Sequence, residues 1–191
     1  MDTNREQILE RARKLYFQGK YNKALELYLP FAETGHVDSQ VFVGWLYSKG
    51  SNDVEKNLEQ AKRWLVPAAK SGNVDAIYLL GTVYYMLGDY NQAVSIFNHA
   101  AELGYSAAYY QLGKIYFTAE VVEKDIELAY KYFKKASDLG HIFAKREVAL
   151  MLIKGYQGSL NIPKGMILLA ASIVTGIYKA FKDPYGEITF E

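Results

Sequence analysis

The chain has no cysteine, which removes disulfides, thiol nucleophiles and cysteine-bound zinc in one step. Histidine is nearly as scarce, with His36, His99 and His141 the three present. None stands at metal-ligand spacing from another, and none joins a nucleophile and an acid in a recognisable catalytic set. No GxxxxGK[ST] phosphate loop occurs, although 15 glycines are available to build one. Net charge is missing too. Lys and Arg total 22 against 21 Asp and Glu, leaving +1, so no overall field draws in a nucleic acid. The longest uncharged apolar run, Met166 to Tyr178, spans 13 residues, short of the roughly 20 that cross a membrane as a helix. The opening Met1-Asp2-Thr3-Asn4-Arg5-Glu6 does not read as a secretory signal. Together these absences predict a cytoplasmic protein that is not an enzyme. They also predict no metal, no cofactor and no nucleic-acid partner, and they point away from a membrane.

What is plentiful is apolar and aromatic. Half of the 191 residues are hydrophobic, and 17 Tyr, 9 Phe and 2 Trp make 15% of the chain aromatic. That supplies a packed core for a single domain. The apolar residues follow a repeat. A small residue with a bulky one three places on occurs five times: Ala12 with Leu15, Gly44 with Tyr47, Gly81 with Tyr84, Gly113 with Tyr116, and Ala149 with Leu152. Each is followed by a second small residue (Ala24, Ala61, Ala93, Ala129, Gly165), which has a large apolar residue three later: Leu27, Trp64, Ile96, Tyr132 and Leu168. A glycine follows the second small residue by 11 positions every time (Gly35, Gly72, Gly104, Gly140, Gly176), and from each of the first four glycines to the next small residue is 9. Only the interval between the two small residues varies: 12, 17, 12, 16 and 16.

Small and large residues three apart share one face of a helix. The small ones let two helices of a hairpin approach, and the large ones fill the space beside them. The recurring glycine suits the left-handed position just past a helix end. The elastic interval then falls in the joint between the two helices, where insertions cost little. Asn57, Asp89, Asp125 and Asn161 each stand four residues before a second small residue, the phase of an N-cap. Pro163 falls in a first helical turn, where its missing donor costs little. The pattern predicts ten helices in five hairpins and no sheet, with repeats at about 5–35, 36–72, 73–104, 105–140 and 141–176. They form one domain over residues 1–182, followed by a tail over 183–191. His36 and His141 share the phase just after the helix-ending glycine with Asn73, Tyr105 and Ile177, which reads as a turn; His99 falls on an outer helix surface.

The units with long joints read Val54-Glu55-Lys56-Asn57-Leu58-Glu59-Gln60-Ala61 and Val122-Glu123-Lys124-Asp125-Ile126-Glu127-Leu128-Ala129. They resemble the Sel-one-like repeat family, a relative of the tetratricopeptide repeat with a longer joint. The short-joint units, Gly19-Lys20-Tyr21-Asn22-Lys23-Ala24 and Gly88-Asp89-Tyr90-Asn91-Gln92-Ala93, are more similar to tetratricopeptide repeats proper. The resemblance implies an all-α, right-handed superhelical solenoid whose first helices line a concave surface. It also implies an adaptor, scaffold or regulator that binds a protein or peptide.

On the first helices, positions three before, one after and four after the small residue form a neighbouring stripe. It holds Val41, Trp45, Tyr78, Tyr85, Tyr110 and Phe117, and Tyr and Trp are the residues that dominate binding surfaces. The stripe is therefore the expected partner-binding face, with Lys114 and Arg146 toward its C-terminal end to meet a carboxylate. The competing structural reading packs these rings between successive first helices. Asp38 and Asp75 are expected only to complement helix dipoles.

The last hairpin is more apolar than the others. Where the fourth unit has Lys131, Lys134, Lys135 and Asp138, the fifth has Ile167, Ala170, Ala171 and Val174. A terminal repeat ordinarily keeps a polar outer face. This one predicts a cover: the tail with Ile177, Tyr178, Phe181, Tyr185, Ile188 and Phe190, a second copy or partner, or a membrane surface. Two functional alternatives to the adaptor follow. One is a neutralising or inhibitory protein that occludes a specific partner such as a toxin. The other is a homodimeric or larger structural module joined through this end.

Overall fold

The computed structural model describes residues 2–118, 125–156 and 160–182, with side chains for 4–118, 125–156 and 160–178. Of the residues expected to cover the last hairpin, Tyr185, Ile188 and Phe190 lie outside the described residues, as does the side chain of Phe181, while Ile177 and Tyr178 are described and exposed. Among those described there are ten helices and no strand. They are α1 (Asp2–Phe17), α2 (Tyr21–Glu33), α3 (Val37–Lys49), α4 (Leu58–Lys70), α5 (Val74–Met86), α6 (Tyr90–Glu102), α7 (Ser106–Thr118), α8 (Ile126–Asp138), α9 (Ile142–Ile153) and α10 (Ile162–Lys182). The chain forms two compact units, one up to Ile96 and one from Phe97 on, so that α6 carries the boundary. In the first unit α1 packs on α2, α2 on α3, α3 on both α4 and α5, and α4 on α5. In the second, α7 packs on α8, α8 on α9, and α9 on α10.

Packing within a hairpin depends on residues with little or no side chain. A Cβ added at Gly113 would lie 2.6 Å and 2.7 Å from two ring carbons of Phe133. At Gly165 it would lie 2.6 Å from Ile153 and 2.8 Å from the Ala149 carbonyl. Ala12, Ala24, Ala61, Ala93, Ala129 and Ala149 are fully buried at the corresponding places. The second helices are amphipathic in consequence, burying Ala61, Leu65 and Ala68 on α4 and Ala129, Phe133 and Ala136 on α8.

The turns between repeats use one residue twice. At Gly72 (φ +85°) the backbone takes the left-handed conformation that glycine adopts without a Cβ clash. Its N–H donates to the Ala69 carbonyl and the next N–H, of Asn73, donates to Ala68, the paired bonds of a Schellman C-cap. Asn73 then starts α5, its Oδ1 accepting the Ala76 N–H at 2.8 Å. His141 repeats the arrangement. Its N–H donates to Ala136 to close α8, and its Nδ1 accepts the Ala144 N–H at 3.1 Å to open α9, which leaves the ring proton on Nε2. At Asn73 and His141 the phase predicted to be a turn is thus a side-chain N-cap as well, whereas His36 makes no such bond.

The joints inside the hairpins have a common anchor. The backbone N–H of each second helix's N-cap donates to the carbonyl of the bulky residue three after the first small residue. The five pairs are Lys20 to Leu15 (2.9 Å), Asn57 to Tyr47 (2.8 Å), Asp89 to Tyr84 (3.0 Å), Asp125 to Tyr116 (3.1 Å) and Asn161 to Leu152 (3.1 Å). Four of these N-caps also cap with their side chains, accepting from Gln60, Gln92, Leu128 and Lys164. Lys20 has no such acceptor. Asp53, in the joint of the second hairpin, takes its place by accepting the Asn22 N–H at 3.0 Å. That bond holds the Asp53 carboxyl below its ordinary range.

One expectation fails. Gly176 was predicted to end the last helix, but α10 continues through it to Lys182. A glycine permits a helix end and does not compel one; continuation of the intrahelical bonds wins here. The two kinds of glycine have opposite consequences. Gly113→Ala is expected to lower stability by about 1–3 kcal/mol through overpacking against Phe133. Gly176→Ala, with nothing within 4 Å of the added carbon, is expected to raise it by about 0.5–1 kcal/mol. Urea unfolding of the two variants checks both signs.

Candidate protein-binding faces

The predicted stripe divides when side chains are placed. Val41 and Tyr78 are buried, at 2% and 4% exposure, and are not surface residues. The reason is angular. At about 100° per residue, a position three before the small residue lies only about 60° from the interhelical contact. On α3 and α5, which pack against α4 and each other, that angle is covered. Trp45, one place after its small residue, is half-buried. It meets Tyr16 edge-on at 5.6 Å and lies under Lys49 Nζ at 5.1 Å. Tyr85 is half-buried on α5, edge-on to Tyr90 at 5.4 Å. With Tyr16, half-buried at the corresponding position of α1, they are rings that first helices of the first unit present.

In the second unit the same stripe is more open. Tyr110 and Phe117 on α7 are half-buried, and Lys114 between them is exposed. Tyr110 stacks on the His141 imidazole at 4.5 Å with an interplanar angle of 22°. Lys114 Nζ lies 5.9 Å from the Tyr110 centroid. Phe117 meets Tyr156 edge-on at 5.9 Å. Arg146 on α9 is exposed and pairs with Glu147 at 2.9 Å, which raises its pKa.

Sequence reasoning missed two residues here. Phe143 is 56% exposed and lies 6.4 Å from Tyr110, centroid to centroid. It stands six before Ala149, which at about 100° per residue puts it about 120° round α9, beside the one-after position. Counting both neighbours of that angle would have found it. Tyr156 follows α9 in the Gly155 turn, where helical counting no longer applies.

The four apolar residues of the last hairpin are also placed. On α10, Ile167 and Val174 are 70% and 66% exposed, Ala170 is exposed and Ala171 half-buried. No helix among the described residues is long and apolar enough to cross a membrane. No group of three or more His, Asp or Glu among them is placed to hold a metal ion.

Paired helices repeated with small residues at each contact define an all-α repeat protein of the solenoid class. The chain belongs to the Sel1 repeat family: the Sel1 repeat model matches residues 37–73, 74–105 and 106–141, more than half of the sequence. The third hairpin, whose short joint resembles a tetratricopeptide repeat, is thus matched as a Sel1 repeat. The family is generally a non-catalytic, protein-interaction repeat fold. Among curated relatives, the chitin synthase regulator SKT5 of Saccharomyces cerevisiae is 30% identical over 122 residues, covering 60% of this chain and 17% of that protein. The ERAD-associated E3 ubiquitin-protein ligase component HRD3 of Candida glabrata is 28% identical over 122 residues, covering 60% of this chain and 15% of that one. The chain therefore spans about a sixth of the length of these two relatives. Among solved structures, a Sel1 repeat protein from Oxalobacter formigenes superposes with a TM-score of 0.71 at 24% identity, over 86% of this chain and 69% of that one. The protective antigen c5321 of uropathogenic Escherichia coli, which has an SLR fold, gives 0.66 at 27% identity over 85% of this chain and 40% of that one.

Proposed function

We propose that the chain is a non-catalytic binding module, an adaptor, scaffold or regulator that holds a polypeptide partner against the faces of its first helices. The observation that carries this reading is the set of part-exposed rings on those helices: Trp45 and Tyr85 in the first unit, Tyr110, Phe117 and Phe143 in the second. Rings of this kind bring large contact area with few rotors, and a helical frame holds them before the partner arrives, so little entropy is lost on binding. Relatives named as a regulator and as a ligase component favour the same class. Tyr85→Ala combined with Tyr110→Ala is expected to abolish retention of the partner in affinity capture, while helicity by circular dichroism stays unchanged. Retention of the same protein by the double variant contradicts the assignment.

A second reading rests on α10. Ile167 and Val174 occupy the positions at which α8 carries Lys131 and Asp138, and both are widely exposed. Apolar area of this kind on a terminal repeat is removed from water by association, and a second copy of the chain is the simplest cover. Ile167→Lys with Val174→Lys is expected to convert a concentration-dependent dimer into a monomer in light scattering. A wild-type chain that stays monomeric at high concentration contradicts this reading.

A further inference from the structure

The first helices of the two units differ in charge. On α7 the one charged residue is Lys114, and on α9 the charged residues are Lys145, Arg146 and Glu147. On α1, α3 and α5 together five bases meet five acids, among them Arg13, Asp38, Lys49 and Asp75, and the sum is zero. The face of the second unit is therefore net basic, while that of the first is not. Its cations are also gathered round one ring system. Lys114 Nζ lies 5.9 Å from the Tyr110 centroid, and Phe143 and His141 lie 6.4 Å and 4.5 Å from the same ring. Arg146 stands three residues after Phe143 on α9, on the same side of the helix.

The Arg146–Glu147 pair joins sequence neighbours whose side chains are 51% and 24% exposed. An ion pair in that setting is weak and readily exchanged for another carboxylate. Around it the apolar surface is substantial: Phe143 and Tyr156 are both exposed, and Tyr110 and Phe117 half so. A cation at the rim of such rings attracts a carboxylate, while the rings take an apolar anchor.

We infer that this face of the second unit takes an acidic segment of a partner polypeptide. An aromatic or aliphatic side chain of that segment rests on Tyr110 and Phe143, and its carboxylates meet Lys114 and Arg146. The inference rests on the reading that first-helix faces bind polypeptide, and it adds the chemistry of what is bound. Rings flanked by cations also suit single-stranded nucleic acid. The overall charge of +1 and the presence of Glu147 in the patch disfavour a polyphosphate.

The test selects peptides on the full-length chain from a random display library at physiological salt. The enriched sequences are then measured by fluorescence anisotropy on the wild type and on Lys114→Glu combined with Arg146→Glu, with a thymidine oligonucleotide as a second probe. Both substituted residues are exposed, and unchanged circular dichroism confirms that the variant is folded. The expected result is enrichment of net-acidic peptides with an aromatic or aliphatic residue. Their affinity should fall by about tenfold or more in the double variant and weaken as salt is raised. Enrichment of neutral or basic peptides, or acidic peptides that bind the double variant unchanged, overturns the inference while leaving the polypeptide-binding reading intact. Oligonucleotide binding as tight as that of the peptides also overturns it. Failure to enrich any peptide overturns this inference, and if capture of a protein partner fails as well, the broader reading falls with it.

Discussion

A single backbone hydrogen bond, made once in each hairpin, sets the geometry on which the other contacts depend. It runs from the N-cap amide of the second helix to the carbonyl three residues past the first helix's small residue, at 2.8–3.1 Å in all five cases. With both ends of the joint pinned, the number of residues between them matters little. The ends stay fixed whether the small residues are 12 or 17 apart, because lengthening a loop with fixed ends costs only a logarithmic entropy. The close approach of the two helices follows from the same pinning. Once the second helix must begin beside Tyr116, α8 brings Phe133 against α7, and only a residue without a Cβ fits at Gly113.

This is why so much of the frame can be read from the chain itself. Gly113 and Gly165 are small because a ring and a carbonyl occupy the space. Gly72 is glycine because its φ is +85°, and Asn57 and Asp125 stand where an amide needs an acceptor. Each constraint is local, so it leaves its mark on one residue. Burial of Val41 and Tyr78 is a different kind of property. Positions of the same phase, Tyr110 and Arg146, are half-buried and exposed, so phase alone does not decide it. The neighbouring helices decide it, and their packing depends on residues far away in sequence. Gly176 illustrates the converse: its type allowed a helix end, but nothing in the surrounding structure required one.

The division between frame and face bears directly on function. Residues of the frame are spoken for: His141, which sequence alone leaves as a polar turn residue, is committed to capping α9 through Nδ1 and to stacking on Tyr110. The part-exposed residues on the outer angles of the first helices are rings, joined in the second unit by cations, with Phe143 the most open of the rings. The proposed binding would bury that apolar area and neutralise that charge. Membership of the Sel1 repeat family is in keeping with that division of labour.

The most direct measurement is amide hydrogen exchange on the full chain, free and bound to a captured partner. First-helix binding predicts that slowing of exchange on binding concentrates at the ends and turns adjoining Trp45, Tyr85, Tyr110 and Phe143, along α3, α5, α7 and α9. The second helices α4 and α8 should be little changed. Protection confined to α4 and α8, with the first helices unaffected, would contradict the account.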